Sequence, residues 1–131
     1  MNTYLFAYGT LRPGCSLYRL IEPAVNWIHP VTTQGSLYHL RTGTDEHPIY
    51  PVADLISGSG AIFGDLLSVD GDSLEFEYMD QMEVGAGFEP ITIRVVSSLD
   101  FSSIDAIGYH YPYLRGPKIE SGDWKKVLTH G

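Results

Sequence analysis

The sequence has little cysteine and little positive charge. Cys15 is the single cysteine in 131 residues, which excludes an internal disulfide framework and is typical of a reducing compartment. Lys and Arg total 8 against 16 Asp and Glu, so the formal net charge is -8. Because no cluster of basic residues interrupts this acidic excess, we do not expect a nucleic-acid partner.

Long hydrophobic runs are also missing. No apolar stretch is long enough to span a bilayer, and the first residues do not join a charged segment to a long apolar one, so we expect a cytoplasmic protein without a membrane partner. Hydrophobic residues make up 44% and charged residues 18% of the sequence, which is typical of a globular protein. The length predicts one domain over residues 1–131.

The most informative segment is YLFAYGTLRPG, residues 4–14. Residues 4–7 form a continuous apolar run, which predicts a strand buried on both faces. Gly9 allows the following loop to turn sharply and to bring main-chain N–H groups close to a ligand. A rigid strand followed by a donor-rich loop indicates a binding site, although an ordinary turn after a strand has the same pattern.

The remaining pattern predicts many strands and few helices. After a strand over residues 3–8, a short helix over 15–21 should stop at Pro23. We expect a strand over 31–40 that bends or carries a bulge at Gly35, a loop at RTGTDEHP, and a polar tail from residue 114 that wraps the surface. The other predicted elements are strands over residues 49–55, 61–69, 88–98 and 104–113, and a helix ending near Glu83.

These elements do not alternate regularly between strand and helix. This argues against a doubly wound parallel sheet and favours an α+β fold with a small, mixed β-barrel-like sheet and two or more short helices. For the longer helix, residues 70–73 offer several N-cap candidates, and Glu75, three residues after Asp72, favours Asp72. Leu74, Tyr78 and Met82, with Met79 beside them, predict its apolar stripe.

Glu83 is the strongest catalytic candidate. It follows Met79 by four residues and therefore borders the predicted apolar stripe, near the carboxyl end of the helix and close to Asp80. Burial, the helix dipole and the neighbouring carboxylate would each raise its pKa, as a general base working near neutral pH requires. The alternative is a solvated glutamate where the helix frays into residues 84–87.

Three stretches resemble the gamma-glutamyl cyclotransferase-like family. YGTLRPG is similar to its opening motif, MDQMEVGAGF (residues 79–88) to its Asp-x-x-Glu-Gly segment, and AIFGDLLSV (residues 61–69) to its Val-x-Gly-x-hydrophobic strand. The resemblance runs from about Thr3 to about Tyr113 and implies the barrel-like fold. It also implies that Glu83 is catalytic and that residues 8–11 form the substrate loop.

The activity implied is an intramolecular aminolysis of a small-molecule gamma-glutamyl substrate. The α-amine attacks the side-chain carbonyl, 5-oxoproline forms and an amine leaves, with Glu83 as general acid and base and with neither metal nor cofactor. Arg12 either contacts the substrate or pairs with a carboxylate. The expected substrate-binding residues are Tyr8, Gly9, Thr10, Leu11, Arg12 and Tyr109.

Tyr109, Tyr111 and Tyr113 alternate, so in a strand they share one face, which is either a pocket wall or an aromatic core face.

The sequence departs from the family pattern at two places near Glu83. Val84 replaces the glycine after the glutamate, and residues 88–90 are Phe-Glu-Pro where Tyr-x-Arg is common. These changes either reshape the pocket for another substrate or mark a relative that lost the activity.

Other readings of the sequence stay open. The main one is a non-catalytic module that binds a small amino-acid-derived ligand in the same cavity. A Cys15 nucleophile with a histidine base is a weaker one, resting on a thiol pKa lowered at a helix start. The five histidines show no metal-ligand spacing. All gamma-glutamyl compounds present the same glutamyl head, so the amine half of the substrate is left open.

Overall fold

The computed structural model describes residues 2–40, 50–113 and 115–130. Two short 3-10 turns, Tyr18–Leu20 and Glu22–Ala24, lie between the first two strands. In chain order the strands and helices are β1 (Asn2–Ala7), β2 (Val25–Gln34), β3 (Ser36–Leu40), β4 (Tyr50–Asp54), β5 (Ala61–Asp70), α1 (Leu74–Gly85), β6 (Glu89–Ser97), β7 (Ser103–His110) and α2 (Trp124–His130).

Five strands close into a barrel in the order β1, β5, β2, β6 and β7. Strand β1 runs parallel to β7, with Leu5 opposite Ile107, and antiparallel to β5. The other paired strands of the barrel are antiparallel. This mixed closed sheet confirms the predicted fold class. Strands β3 and β4 form a separate two-stranded sheet.

Strand β1 is buried on both faces, as its continuous apolar run predicts. Phe6 belongs to one buried cluster, with Val31 and Val95. Leu5 and Ala7 point the other way into a second cluster, which includes Met79 of α1. Because both faces are covered, β1 holds the loop that follows it on a rigid support.

The predicted strand over residues 31–40 is two strands in the structure. Strand β2 starts six residues earlier, at Val25, and β3 leaves the barrel for the second sheet. Gly35 lies between them, where a Cβ atom would come within 2.8 Å of both the Asp54 carbonyl oxygen and Ile62 Cδ1. Close packing, rather than a bulge within one strand, therefore requires glycine at this position.

The predicted helix over residues 15–21 is also wrong, because the structure has a 3-10 turn at Tyr18–Leu20. Pro23 does not end it but lies inside the second turn, Glu22–Ala24. A proline in the first turn of a helical segment is tolerated, since its missing N–H has no partner there.

Helix α1 is turned relative to the prediction. Its N-cap is Ser73, whose Oγ accepts a hydrogen bond from the Phe76 N–H at 3.1 Å, and not Asp72. The side chains of Leu74 and Tyr78 are 80% and 61% exposed, so these two members of the predicted apolar stripe do not face the core. Met79 is fully buried. The inward face instead combines Phe76 and Met79 with two acids, Asp80 and Glu83.

The last part of the chain differs most from expectation. Strand β7 ends at His110, so Tyr111 and Tyr113 lie beyond it. The tail does not only wrap the surface, because it contributes α2 with the buried Trp124. The predicted RTGTDEHP loop and the first residue of the predicted strand over 49–55 lie outside the described residues. Among the helices that the structure describes, none is long and apolar enough to cross a bilayer.

Candidate active site

A cavity of about 620 Å³ lies beside the end of β1, against the last turn of α1 and the side of α2. This is the volume of an ordinary small-molecule pocket. Six of the seven residues predicted for the site line it, and Arg12 does not. The described residues of its wall are Phe6, Ala7, Tyr8, Gly9, Thr10, Leu11, Gly14, Cys15, Ser16, Leu17, Pro51, Met82, Glu83, Ala86, Phe88, Tyr109, Trp124 and Leu128.

Main-chain hydrogen bonds to carbonyl groups of the loop after β1 fix the conformation of that loop. The Gly9 carbonyl accepts a hydrogen bond from the Arg12 N–H at 3.0 Å, and the Thr10 carbonyl accepts one from the Leu17 N–H at 2.9 Å. Within the described part of the chain, the amides of Gly9, Thr10 and Leu11 donate to no main-chain carbonyl. All three residues line the cavity, so main-chain N–H groups without a main-chain acceptor lie at its wall.

Gly9 is needed for the close approach of this loop to β4. A Cβ atom at Gly9 would lie 2.5 Å from Cγ of Pro51, which is far inside van der Waals contact. Pro51 lines the same cavity. Because Gly9 has no side chain, the loop can pack directly on Pro51 at the wall of the cavity.

The end of α1 fixes the position of Glu83. The Glu83 carbonyl accepts a hydrogen bond from the Phe88 N–H at 3.1 Å, and the Val84 carbonyl accepts one from the Gly87 N–H at 3.0 Å. Gly87 has φ of +100°, which completes a Schellman motif. The helix therefore ends in an ordered cap rather than fraying, and Glu83 and Phe88 are both directed to the cavity.

The surroundings of Glu83 make it a weak acid. Burial raises the pKa of its carboxyl group from 4.5 to about 7, and the negative charge of Asp80 adds to the shift. Burial disfavours the charged form because water no longer solvates it, and a nearby like charge acts in the same direction. At neutral pH this carboxyl group is poised between accepting and donating a proton.

Tyr109 connects three walls of the cavity. Its hydroxyl donates a hydrogen bond to Oδ1 of Asp80 at 2.6 Å, and its main-chain carbonyl accepts one from the Tyr8 hydroxyl at 2.8 Å. Burial, followed by the hydrogen bond to Asp80, raises the pKa of the Tyr109 phenol. The phenol therefore stays protonated and ties β7 to α1, while Tyr8 ties the loop to β7.

Arg12, one of the expected substrate-binding residues, lies outside the cavity wall and pairs with carboxylates. Its Nε donates to Oδ2 of Asp65 at 2.9 Å, and its Nη1 donates to Oδ1 of Asp123 at 2.9 Å. The guanidinium group and Asp65 are buried, and Asp123 is partly buried; Arg12 is absent from the cavity wall. The alternative reading of Arg12, pairing with a carboxylate, is the one that the structure supports.

The departures from the family pattern affect the cavity unequally. Val84 is 49% exposed and does not line the cavity. Phe88 does line it, and its ring packs on Tyr111 with 5.1 Å between the ring centroids. Tyr111 packs in turn on the exposed Tyr113. Of the three alternating tyrosines, Tyr109 lines the cavity, and Tyr111 and Tyr113 support it from outside.

Cys15 also lines the cavity, but its environment does not suit a nucleophile. Burial raises the pKa of its thiol, whereas the thiolate mechanism needs a lowered one. No helix starts at Cys15, and among the described residues of the cavity wall there is no histidine. The described residues likewise contain no cluster of three or more His, Cys, Asp or Glu side chains placed to hold a metal ion.

Several residues around the site are absent from the predicted set, and four of them fix its architecture. Asp65 and Asp123 hold Arg12, and Trp124 and Leu128 form the wall contributed by α2. Asp65 could have been recognised from the sequence, because a carboxylate within the apolar strand AIFGDLLSV is costly unless a cation or hydrogen-bond donor pairs with it. Helix α2 could have been predicted from Asp123, a typical N-cap residue, followed by apolar residues at helical spacing.

The raised pKa of Glu83 predicts a stability that depends on pH. Below pH 4.5 the carboxyl group is protonated in both the folded and the unfolded chain, and as pH rises through about 7 the folded chain bears the full cost of the buried charge. The pKa difference corresponds to roughly 3 kcal/mol. Glu83→Gln should therefore stabilise the fold by about that amount at pH 8.5, and by under about 1 kcal/mol at pH 5.

Urea unfolding followed by tryptophan fluorescence at the two pH values measures this difference. Glu77→Gln is the matched control, because it removes an exposed carboxylate from the same helix. The control should show no gain that grows with pH. An equal effect of Glu83→Gln at both pH values would contradict a buried, weakly acidic Glu83.

The fold is shared with solved structures along nearly the whole chain. YkqA from Bacillus subtilis is 27% identical with a TM-score of 0.74, and the match covers 100% of this chain and 44% of YkqA. PH0828 from Pyrococcus horikoshii is 22% identical with a TM-score of 0.72, covering 98% of this chain and 94% of that one. This chain therefore spans less than half the length of YkqA.

A structure described as gamma-glutamyl cyclotransferase is 17% identical with a TM-score of 0.71, and the match covers 99% of this chain and 78% of that one. No curated protein matches the sequence. The family model of gamma-glutamyl cyclotransferase, AIG2-like proteins matches residues 5–126. The chain therefore belongs to the gamma-glutamyl cyclotransferase, AIG2-like family, which confirms the resemblance found in the sequence.

Proposed function

We propose that this protein is a gamma-glutamyl cyclotransferase-type enzyme that cyclises a gamma-glutamyl group to 5-oxoproline and releases an amine. The observation that carries the proposal is the position of Glu83. Its carboxyl group, with a pKa of about 7, faces the same cavity as the loop amides of Gly9, Thr10 and Leu11. A base and a set of fixed donors around one small-molecule cavity are what this reaction requires.

Glu83 is proposed to move the protons. The α-ammonium group of the substrate gives a proton to the Glu83 carboxylate and becomes a nucleophilic amine. Its nitrogen then attacks the side-chain carbonyl carbon, and the bond from that carbon to the leaving nitrogen breaks. Two protons leave the attacking nitrogen in total, and both reach the leaving amine, which departs as an ammonium ion. The reaction consumes no water.

The loop amides are proposed to hold negative charge. In this proposal they bind either the α-carboxylate of the substrate or the oxyanion that forms on the attacked carbonyl. Tyr8 and Tyr109 form the adjoining wall, and their hydrogen bonds keep the loop, β7 and α1 together. Because both reacting groups belong to one molecule, holding the glutamyl chain folded supplies much of the rate enhancement.

The proposal is tested by incubating the protein with gamma-glutamyl amino acids, gamma-glutamylamines, a gamma-glutamyl-ε-lysine isopeptide and glutathione. Mass spectrometry should detect 5-oxoproline and the free amine in equal amounts from at least one of them. Binding of these compounds without any 5-oxoproline would instead establish the alternative, a non-catalytic binding module.

The pH dependence of turnover should follow the ionisation of Glu83. Below its pKa, kcat/KM should fall about tenfold per pH unit, because only the carboxylate accepts a proton. Asp80→Asn removes the negative charge that raises this pKa, so the midpoint should move to lower pH. A pH–rate profile measures both effects, with Glu77→Gln as control. An unchanged midpoint in Asp80→Asn would contradict the assignment of the base.

A further inference from the structure

The barrel closes between β2 and β6 over a very short ladder. Among the described residues, the two strands pair only at Val31 with Ser97 and at Thr32 with Val96, whereas β6 pairs with β7 along nearly its whole length. The second edge of β6 therefore has no strand beside it over residues 90–94 within the described part of the chain. We propose that this segment, which we call the open edge, pairs with the open edge of a second copy of this chain.

The direction of the main-chain groups follows from the alternation within a strand. The Ser97 N–H donates to the Ser102 carbonyl, on the β7 side, at 2.7 Å. Successive residues of a strand direct their hydrogen-bonding groups to opposite edges, so Thr92 and Arg94 direct theirs away from β7. The Thr33 hydroxyl agrees with this direction, because it donates to the Arg94 carbonyl from the β2 side at 2.8 Å.

The open edge therefore presents a defined set of main-chain groups. It offers the N–H groups of Thr92 and Arg94 and the carbonyl oxygens of Pro90 and Thr92. Pro90 has no N–H group, and the Arg94 carbonyl already accepts from Thr33. A strand edge that carries unpaired donors and acceptors is a template for another strand.

These groups are complementary to themselves in one antiparallel arrangement. With Thr92 opposite Thr92 of the second copy about a two-fold axis, each Thr92 N–H meets the other Thr92 carbonyl. Each Arg94 N–H then meets the Pro90 carbonyl of the other copy. The missing N–H of Pro90 lies opposite the occupied carbonyl of Arg94, so every remaining donor of the open edge finds an acceptor.

The same groups disfavour the neighbouring registers. A pairing centred on Ile91 would place Thr92 opposite Pro90 and would leave each Thr92 carbonyl without a donor. A pairing centred on Ile93 would direct the Thr92 N–H to the Arg94 carbonyl, which is already occupied. The open edge therefore favours one symmetric dimer over non-specific association.

The charges at the open edge allow a second copy to approach. The chain has a net charge of -8, so two copies repel each other over most of their surface. A groove of about 760 Å³ lies beside the open edge, and Arg94 is the only ionisable group among the described residues that line it. The two-fold arrangement also brings Arg94 of each copy near the exposed Glu89 at the start of the other β6, which has the opposite charge.

Sedimentation equilibrium over a range of protein concentrations tests the inference. Because the paired segment is short, we expect a dimer that dissociates on dilution. Thr92→Pro removes a donor from each copy and should raise the dimer dissociation constant at least about tenfold. The N–H of residue 92 points away from β7, so proline is compatible with the strand. Thr92→Val keeps the N–H and the branched side chain, and this matched control should dimerise like the wild type.

A second variant tests the same contact if Thr92→Pro does not fold. Thr92→Asp changes an exposed side chain and keeps the main-chain groups, but it places two carboxylates opposite each other across the two-fold axis. Dimer formation should be lost at low salt and return in part at high salt. A wild type that is monomeric at every concentration, or a dimer that neither variant weakens, would overturn the inference.

Hydrogen exchange identifies the main-chain groups in the contact. With rising protein concentration, the amides of Thr92 and Arg94 should become protected from exchange. The amides of Ile91 and Ile93 face β7 and should be protected at every concentration. Unchanged exchange at Thr92 and Arg94 in a dimeric sample would also overturn the inference. The open edge lies outside the cavity wall, so these outcomes do not depend on whether 5-oxoproline forms.

Discussion

Glu83→Gln is expected to lower the rate of 5-oxoproline formation by about 10²–10⁴-fold, the usual contribution of a positioned general base. Glutamine keeps the size of the side chain but accepts no proton from the α-ammonium group. The carboxyl group faces the cavity beside the loop amides, and its pKa of about 7 suits both proton acceptance and donation. Steady-state turnover measured by mass spectrometry checks the loss.

Two comparisons make this result specific to the base. Glu77→Gln removes an exposed carboxylate from the same helix and should leave turnover unchanged. Substrate affinity of the Glu83→Gln variant should fall much less than its rate, since the loop amides remain. Full activity in Glu83→Gln would refute the proposed mechanism, and unchanged affinity with no activity in either protein would favour the binding module.

Arg12→Met is expected to destabilise the fold by about 3–5 kcal/mol, the usual cost of removing one partner from a buried ion pair. Arg12 bonds Asp65 of β5 and Asp123 at the start of α2, each at 2.9 Å. Without the guanidinium, the buried carboxylate of Asp65 and the partly buried carboxylate of Asp123 lose their partner and repel each other. The loop and α2 would no longer be joined, so urea unfolding should shift strongly to lower concentration.

Arg94→Met is the matched control for this prediction. Arg94 pairs with Asp105 at 3.3 Å, but both side chains are more than 60% exposed, so its loss should cost less than about 1 kcal/mol. Arg12→Lys keeps the positive charge but not the planar guanidinium group, so its free energy of unfolding should lie between those of the wild type and Arg12→Met. Similar losses in Arg12→Met and Arg94→Met would show that the buried pair does not hold the loop.

The sequence was sufficient for those features that short stretches determine. The apolar run of residues 4–7 predicts a doubly buried strand, and Leu5, Phe6 and Ala7 are indeed buried toward two different clusters. The absence of strand–helix alternation predicts a small mixed barrel, which the structure confirms. The spacing of four from Met79 places Glu83 on the inward face of α1, where the structure has it.

Prediction failed where polar groups had to be matched over long distances. The spacing of Leu74 and Tyr78 predicts an apolar face for α1, yet both are exposed, and Asp80 and Glu83 lie inward. A helical pattern alone cannot show that an aspartate is held by the hydroxyl of Tyr109, 29 residues away. The prediction of a polar surface tail from residue 114 failed for the same reason, because the burial of α2 depends on its packing against distant parts of the chain.

By itself, the sequence predicted the class of fold, because burial patterns and turn chemistry act between near neighbours, and its family resemblance indicated the loop after β1 and Glu83. The tertiary structure alone decided that Arg12 joins Asp65 to Asp123 and that α2 closes the cavity with Trp124 and Leu128. A guanidinium group pairs with whichever carboxylates the folded chain brings within reach, and no spacing along the chain records that distance.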